Sequence, residues 1–128
     1  MIKCRVEQGA ATATLSWTYS ETGGAVGEMR IYVNTVNVIS STATTDSGTY
    51  TIYQGDTIYV AIELLSSCSG NDDAGNVYTQ SNRGTLVDAD CFVASTGTLT
   101  TPTYTVVAGD IGTTITLDTF ARCDAACL

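Results

Sequence analysis

Apolar and polar residues alternate with a period of two along most of this chain. The clearest case is Gly48 to Leu65, GTYTIYQGDTIYVAIELL. Tyr50 and Ile52 alternate with Thr49, Thr51 and Tyr53. Ile58, Val60, Ile62 and Leu64 alternate with Thr57, Tyr59, Ala61 and Glu63. Side chains of a strand point to opposite faces at every step, so the even positions form one apolar face, and no helix has this period. Gln54-Gly55-Asp56 between the two runs is turn chemistry: Gly tolerates a positive φ, and Asp bonds back to nearby backbone. The pattern predicts two strands joined as a hairpin at the centre of the core.

The same alternation recurs on both sides. Ile2, Cys4 and Val6 read as a first strand with a charged outer face. Ala11 to Tyr19 reads as a second, with Trp17 as a core anchor and a ligand platform as the alternative role for its ring. Met29, Ile31 and Val33 form a third, followed by a tight turn at Asn34-Thr35 and a short strand from Val36. Ser40 to Ser47 reads as a polar loop or twisted edge, and Ser66 to Asn76 as a long loop. Val77 to Gln80 is a weak strand, and Ser81 to Gly84 a turn. From Leu86 to Val93 the phase is ambiguous. The inward set is taken as Val87, Ala89, Cys91 and Val93, which leaves Asp88, Asp90 and Phe92 outside. Ser95 to Pro102 reads as a linker-like loop, Ile115 and Leu117 lie on a final strand, and Phe120 caps the core. The tail ARCDAACL is expected to form a short helical turn.

These elements imply an all-β chain: a single β-sandwich domain over residues 1–128, of about eight to nine short antiparallel strands in two sheets. Residues 49–56, TYTIYQGD, and 103–110, TYTVVAGD, match closely and read as a weak internal repeat. Each copy is a strand, a Gly-Asp turn and a strand.

Composition narrows the function more than it defines it. Charged residues make up only 14% of the chain, against roughly 25% in ordinary soluble domains. Thr, Ser and Tyr supply the polar surface instead. The net charge is −8 with 5 Lys and Arg, which argues against nucleic acid because phosphate binding is driven by cations. No run of 18 apolar residues exists, so no spanning helix is expected. The N-terminus MIKCRVEQ has no apolar h-region, so no secretory signal is expected.

The five cysteines, Cys4, Cys68, Cys91, Cys123 and Cys127, are an odd count that leaves at least one unpaired within the chain. They read as small buried hydrophobes in a reducing compartment, with no disulfide on which the fold depends. Cys68 and Cys91 are placed at strand or loop ends where they are able to pair.

The chain has no His, which removes Ser-His-Asp triads, Cys-His dyads and imidazole metal ligands. No catalytic residue and no cofactor is expected. Asp72, Asp73, Asp88 and Asp90 are the only oxygen-rich candidates for Ca²⁺, and their spacing lacks the D-x-D-x-D-G pattern, so no metal is expected either. Tyr32, Tyr53 and Tyr59 fall on outward positions. Outward aromatics suit a protein contact or the face of a sugar ring, or simply a cross-strand pair.

Two resemblances add to this. The segment Tyr104 to Ile115, YTVVAGDIGTTI, resembles the E–F corner of bacterial immunoglobulin-like domains, where a Y-T strand, a D-x-G turn and an alternating strand follow one another. It implies an immunoglobulin-like sandwich. In style, with its Met start, acidic Thr-rich composition and GTYTIYQGDTIYV segment, the chain resembles the small β-proteins of tailed bacteriophage virions, such as the capsid auxiliary proteins of crAss-like phages. That resemblance implies a non-enzymatic auxiliary or decoration protein. Such a protein is made in a host cytoplasm and carried on a virion. It is bound to capsid or other virion proteins in symmetric copies or as a homo-oligomer, with no membrane and no nucleic acid as partner. The alternative is a bacterial cell-surface adhesion or carbohydrate-binding module.

Overall fold

The computed structural model describes residues 11–68 and 74–125. Ten strands are present among them: β1 (Thr12–Thr22), β2 (Gly27–Val33), β3 (Val36–Ser41), β4 (Thr45–Tyr53), β5 (Thr57–Leu64), β6 (Ala74–Ser81), β7 (Asp88–Val93), β8 (Gly97–Thr100), β9 (Tyr104–Thr105) and β10 (Thr114–Ala125). Sheet I has the order β4-β1-β10-β6-β7. Sheet II has the order β3-β2-β5-β8, with β9 continuing the β8 edge of β5. Single 3-10 turns at Gly84–Leu86 and Ala108–Asp110 are the only helical pieces among the described residues. The expected strand at Ile2–Val6 lies outside them.

The two sheets face each other across one core, as the alternation demands. From β1 it takes Leu15, Trp17 and Tyr19, and from β10 Ile115, Leu117 and Ala121. Sheet II contributes Met29, Ile31 and Val33 from β2 and Ile58, Val60, Ile62 and Leu64 from β5. Burying each large aliphatic side chain is worth about 1.5–3 kcal/mol, so the centre of each sheet carries most of the stabilisation. Trp17 lies in this core, against Gly48 of β4, where a Cβ would come within 2.9 Å of the indole. The ligand-platform role for Trp17 is excluded by that burial.

The central pair was expected as a hairpin and is not one. β4 belongs to sheet I, where it pairs antiparallel with β1, while β5 belongs to sheet II between β2 and β8. The turn carries the chain from one sheet to the other. Period-two alternation cannot separate these outcomes, because both place Ile52 and Ile58 against the same core. The copy at 103–110 also crosses between sheets, in the opposite sense, from β9 to β10. In each turn the Asp Oδ2 accepts the backbone N–H three residues earlier, Tyr53 to Asp56 at 2.8 Å and Val107 to Asp110 at 2.9 Å. The Asp N–H donates back to the carbonyl of that same residue. The two turns also meet: Gly55 N–H donates to the Val106 carbonyl and Val106 N–H to the Asp56 carbonyl, both at 2.8 Å.

Several local expectations change. The strands are not all antiparallel, because β1 and β10 run parallel over Thr14–Thr22 and Thr114–Arg122. Ala121 to Ala125 continue β10 instead of forming a helical turn. Residues 97–100 of the supposed linker form β8, paired with β5. The phase of β7 is the reverse of that expected. Phe92 packs toward the core and Val87 and Val93 are exposed, because the Phe92 ring lies over the backbone of Gly97 where no side chain intervenes. Phe120 does not cap the core. On β10 the odd residues Ile115, Leu117, Thr119 and Ala121 are buried, which turns Phe120 to the outer face.

Cys68 is bonded to Cys123, with 5.4 Å between their Cα atoms. The bond runs from the segment after β5 to β10 and so ties sheet II to sheet I. Cys91 is disulfide-bonded as well. This corrects the reading of the cysteines as reduced hydrophobes and of Cys68 as a partner for Cys91. The two bonded residues are far apart in sequence, and only the stacking of the sheets brings them together.

Candidate functional site

The outer face of sheet II carries the first candidate surface. Tyr32 on β2 and Tyr59 on β5 are register partners, and their rings stack with centroids 4.6 Å apart and planes 8° from parallel. On the same face Arg30 donates to Glu28 at 2.7 Å and to Glu63 at 3.2 Å. The guanidinium is thus neutralised beside the ring stack. The hydrogen bond that Arg30 donates to Glu28 holds the Arg30 pKa above its ordinary value.

Tyr53, the third tyrosine, does not join this pair. It ends β4 in sheet I, half exposed, and its backbone N–H is held by Asp56. Asp56 in turn accepts from the Asn34 side chain at 2.9 Å, and Asn34 accepts from Thr57 N–H at 3.0 Å. This links the turn before β5 to the Asn34-Thr35 turn, where both residues have positive φ as a tight hairpin requires. Tyr53 therefore stands at the same end of the sandwich as that turn, on a different sheet.

Asp88 and Asp90 lie on β7, each accepting the N–H of the next residue at 2.9 and 3.0 Å. Asp72 and Asp73 lie outside the described residues. Among the described residues no three His, Cys, Asp or Glu side chains are grouped as metal ligands.

The most connected polar cluster is at the corner singled out in the sequence. Asp110 is buried and accepts from Tyr104 Oη at 2.6 Å, Val107 N–H at 2.9 Å and Arg83 Nε at 2.9 Å. Burial pushes the Asp110 carboxyl up, but the hydrogen bonds from Tyr104, Val107 and Arg83 outweigh it and hold it below its ordinary value. Burial and the same contact push the Tyr104 phenol up. A second such pair is Tyr19 and Glu21. Tyr19 Oη donates to Glu21 at 2.6 Å, and Gly27 N–H donates to the same carboxylate oxygen. Burial first, then Glu21, pushes the Tyr19 phenol far up. Both clusters have their bonding groups turned onto one another, which is structural chemistry.

A second aromatic pair, not anticipated from the sequence, lies on the outer face of sheet I. Tyr78 on β6 and Phe120 on β10 are register partners and stack at 4.6 Å and 15°. Across the sheet, one row runs Ser20 on β1, Phe120, Tyr78, and Ala89 on β7. Small residues thus flank two large ones. A hollow of about 580 Å³ lies on the β7 side of the stack and one of about 270 Å³ on the β1 side. The available signal was the alternation of β10, which, carried past Leu117, places Phe120 outward.

No family model, no curated protein and no solved structure matches the chain. What the fold defines is a class, the all-β proteins built as two facing sheets.

Proposed function

We propose that this protein is a non-enzymatic structural protein of a tailed bacteriophage virion, a capsid auxiliary or decoration protein with an immunoglobulin-like sandwich. It is held on other virion proteins through the outer face of sheet II. The observation that carries the reading is the Tyr32–Tyr59 stack beside an arginine already neutralised by Glu28 and Glu63. Interface cores are rich in aromatics and poor in net charge, with tyrosine prominent. The immunoglobulin-like element of the proposal is supported by the parallel pairing of β1 and β10 and by the Tyr104–Asp110–Arg83 corner.

The test is occupancy on purified particles. Tyr59→Ala is expected to keep its circular dichroism spectrum and to weaken assembly by about 1–2 kcal/mol, as truncation of an interface anchor does. Full occupancy by a Tyr32→Ala/Tyr59→Ala variant removes this face. Failure of the wild type to co-sediment with any particle removes the virion reading.

One observation favours the alternative, a cell-surface adhesion or carbohydrate-binding module. The Cys68–Cys123 bond belongs to an oxidising compartment, which an exported protein enters as it folds and a virion protein meets only after release from the host. Thiol trapping in intact producing cells separates the two. Free Cys68 and Cys123 before lysis favour the virion, and bonded ones favour export.

A further inference from the structure

The geometry points to a binding site for a neutral glycan on the outer face of sheet I, in the hollow between Tyr78 and β7. Neighbouring strands are about 4.8 Å apart, and the Tyr78 and Phe120 rings stack at 4.6 Å across one register pair. The stack axis therefore lies along the ladder direction, and the rings stand side by side on the sheet. One face of Tyr78 is covered by Phe120. The other looks toward β7, where its register partner is Ala89. A methyl group opposite a phenol ring leaves the space between them unfilled by any described side chain, and that space is the larger hollow.

Its lining selects the ligand class. The wall is the Tyr78 ring, with Val87 and Ala89 across from it, and Gln80 offers an exposed side-chain amide on the same face as Tyr78. Asp88 and Asp90 contribute to the rim. Among the described residues that line it there is no Lys or Arg, and Asp88 and Asp90 place negative charge at the rim, which disfavours phosphate, sulfate and carboxylate. A volume of about 580 Å³ falls within the usual range of small-ligand sites. A sugar ring fits this chemistry on both counts. Its C–H face is apolar and lies flat on an aromatic face, and its hydroxyl edge both donates and accepts toward the amide and the rim. The smaller hollow on the β1 side, lined by Ser20, Thr22, Tyr78, Phe120 and Arg122, extends the same row and includes one guanidinium. A glycan chain laid across the strands meets the aromatic ridge with a hollow on either side. The site lies on the sheet opposite to the proposed protein contact, so its failure leaves the virion reading standing; it deepens the carbohydrate-binding alternative by naming the surface and the ligand class.

The experiment uses the whole protein and a glycan array of neutral hexose and N-acetylhexosamine oligosaccharides. The array also carries sialylated and sulfated forms, with a polyamine as the cationic control. Hits are followed by titration calorimetry. Neutral members are expected to bind, and Tyr78→Ala to weaken them at least ten-fold while Tyr78→Phe, which keeps the ring face, stays within about three-fold. Ala89→Trp fills the hollow from an exposed position without removing any core contact, and is expected to abolish binding even if Tyr78→Ala proves poorly folded. Absence of binding to every neutral member at millimolar concentration overturns the proposal. So does preference for the sulfated or sialylated forms, stronger binding of the polyamine, or binding that survives Ala89→Trp.

Discussion

At Asp110, one carboxylate holds a phenol, a backbone amide and a guanidinium together. Asp110→Ala leaves all three without their partner in a buried setting, at a cost of about 1–3 kcal/mol or more. The sign of the pH dependence follows from its depressed pKa. Stability from this group is present above the unfolded Asp value of about 3.9 and is lost as pH falls below it, through the folded pKa. Denaturant melts across that range are therefore expected to show wild type and Asp110→Ala converging on acidification. Equal acid sensitivity of both would remove the assignment. At the other end of the scale, Tyr19 and Tyr104 have raised pKa values, so their stabilisation is present below the unfolded Tyr value of about 10 and lost as pH rises through the folded values. In a near-ultraviolet titration, Tyr19 and Tyr104 are expected to ionise above the ordinary Tyr value of about 10. Close contact sets a different limit at Gly27, where a Cβ would lie 2.8 Å from both the Glu63 carbonyl oxygen and Tyr19 Oη. The carbonyl belongs to a paired strand and cannot move cheaply. Gly27→Ala is expected to destabilise by about 1–3 kcal/mol, as overpacking does, measured as a shift in the denaturation midpoint with unchanged slope.

At the scale of elements, the Cys68–Cys123 bond closes a loop with a sequence separation of 55. The chain-entropy relation gives about 4 kcal/mol for a loop of that length. Cys68→Ser with Cys123→Ser is expected to cost a large part of this, read from equilibrium unfolding against the wild type. A change of only a few tenths would show that the sheets hold without the bond. The alternation in β5 was legible in the sequence because a central strand of a sandwich keeps one face, here Ile58, Val60, Ile62 and Leu64, in the core along its whole length. β7 was not legible. It is an edge strand, and the face it buries was decided by Gly97, four residues beyond its end and in the other sheet, which leaves room for the Phe92 ring. β8 was missed for a related reason. Only Leu99 in Gly97–Thr100 is buried, and one apolar residue carries no period.

Across the whole molecule, protection is expected to follow position in the sheets and not sequence hydrophobicity. β1, β10 and β6 lie inside sheet I and β2 and β5 inside sheet II, while β4 and β3 are edges with few buried residues. Amide exchange should be slowest in the five interior strands and fastest in β3 and β4, since local opening draws on regions with the least burial. Slow exchange throughout β4 would point to a further strand covering it. The candidate surfaces follow the same logic. Tyr32 and Tyr59 were recognisable as outward, but their stacking depends on the register of β2 against β5. Tyr53 has the same local pattern and ends on the other sheet.

The sequence by itself determined the strands whose alternation is regular, β1, β2 and β5 above all, with their buried faces, and the turn chemistry of Gly55-Asp56 and Gly109-Asp110. Each of these depends on residues close in the chain, through side-chain direction and backbone freedom. Only the tertiary structure decided that these turns cross between sheets, that β1 lies parallel to β10, that Cys68 meets Cys123, and that Tyr78 and Phe120 stand together between Ser20 and Ala89. Those outcomes depend on which strand lies beside which. An alternating pattern is satisfied by any neighbour that covers its apolar face, so the pairing is chosen by the closure of the whole core.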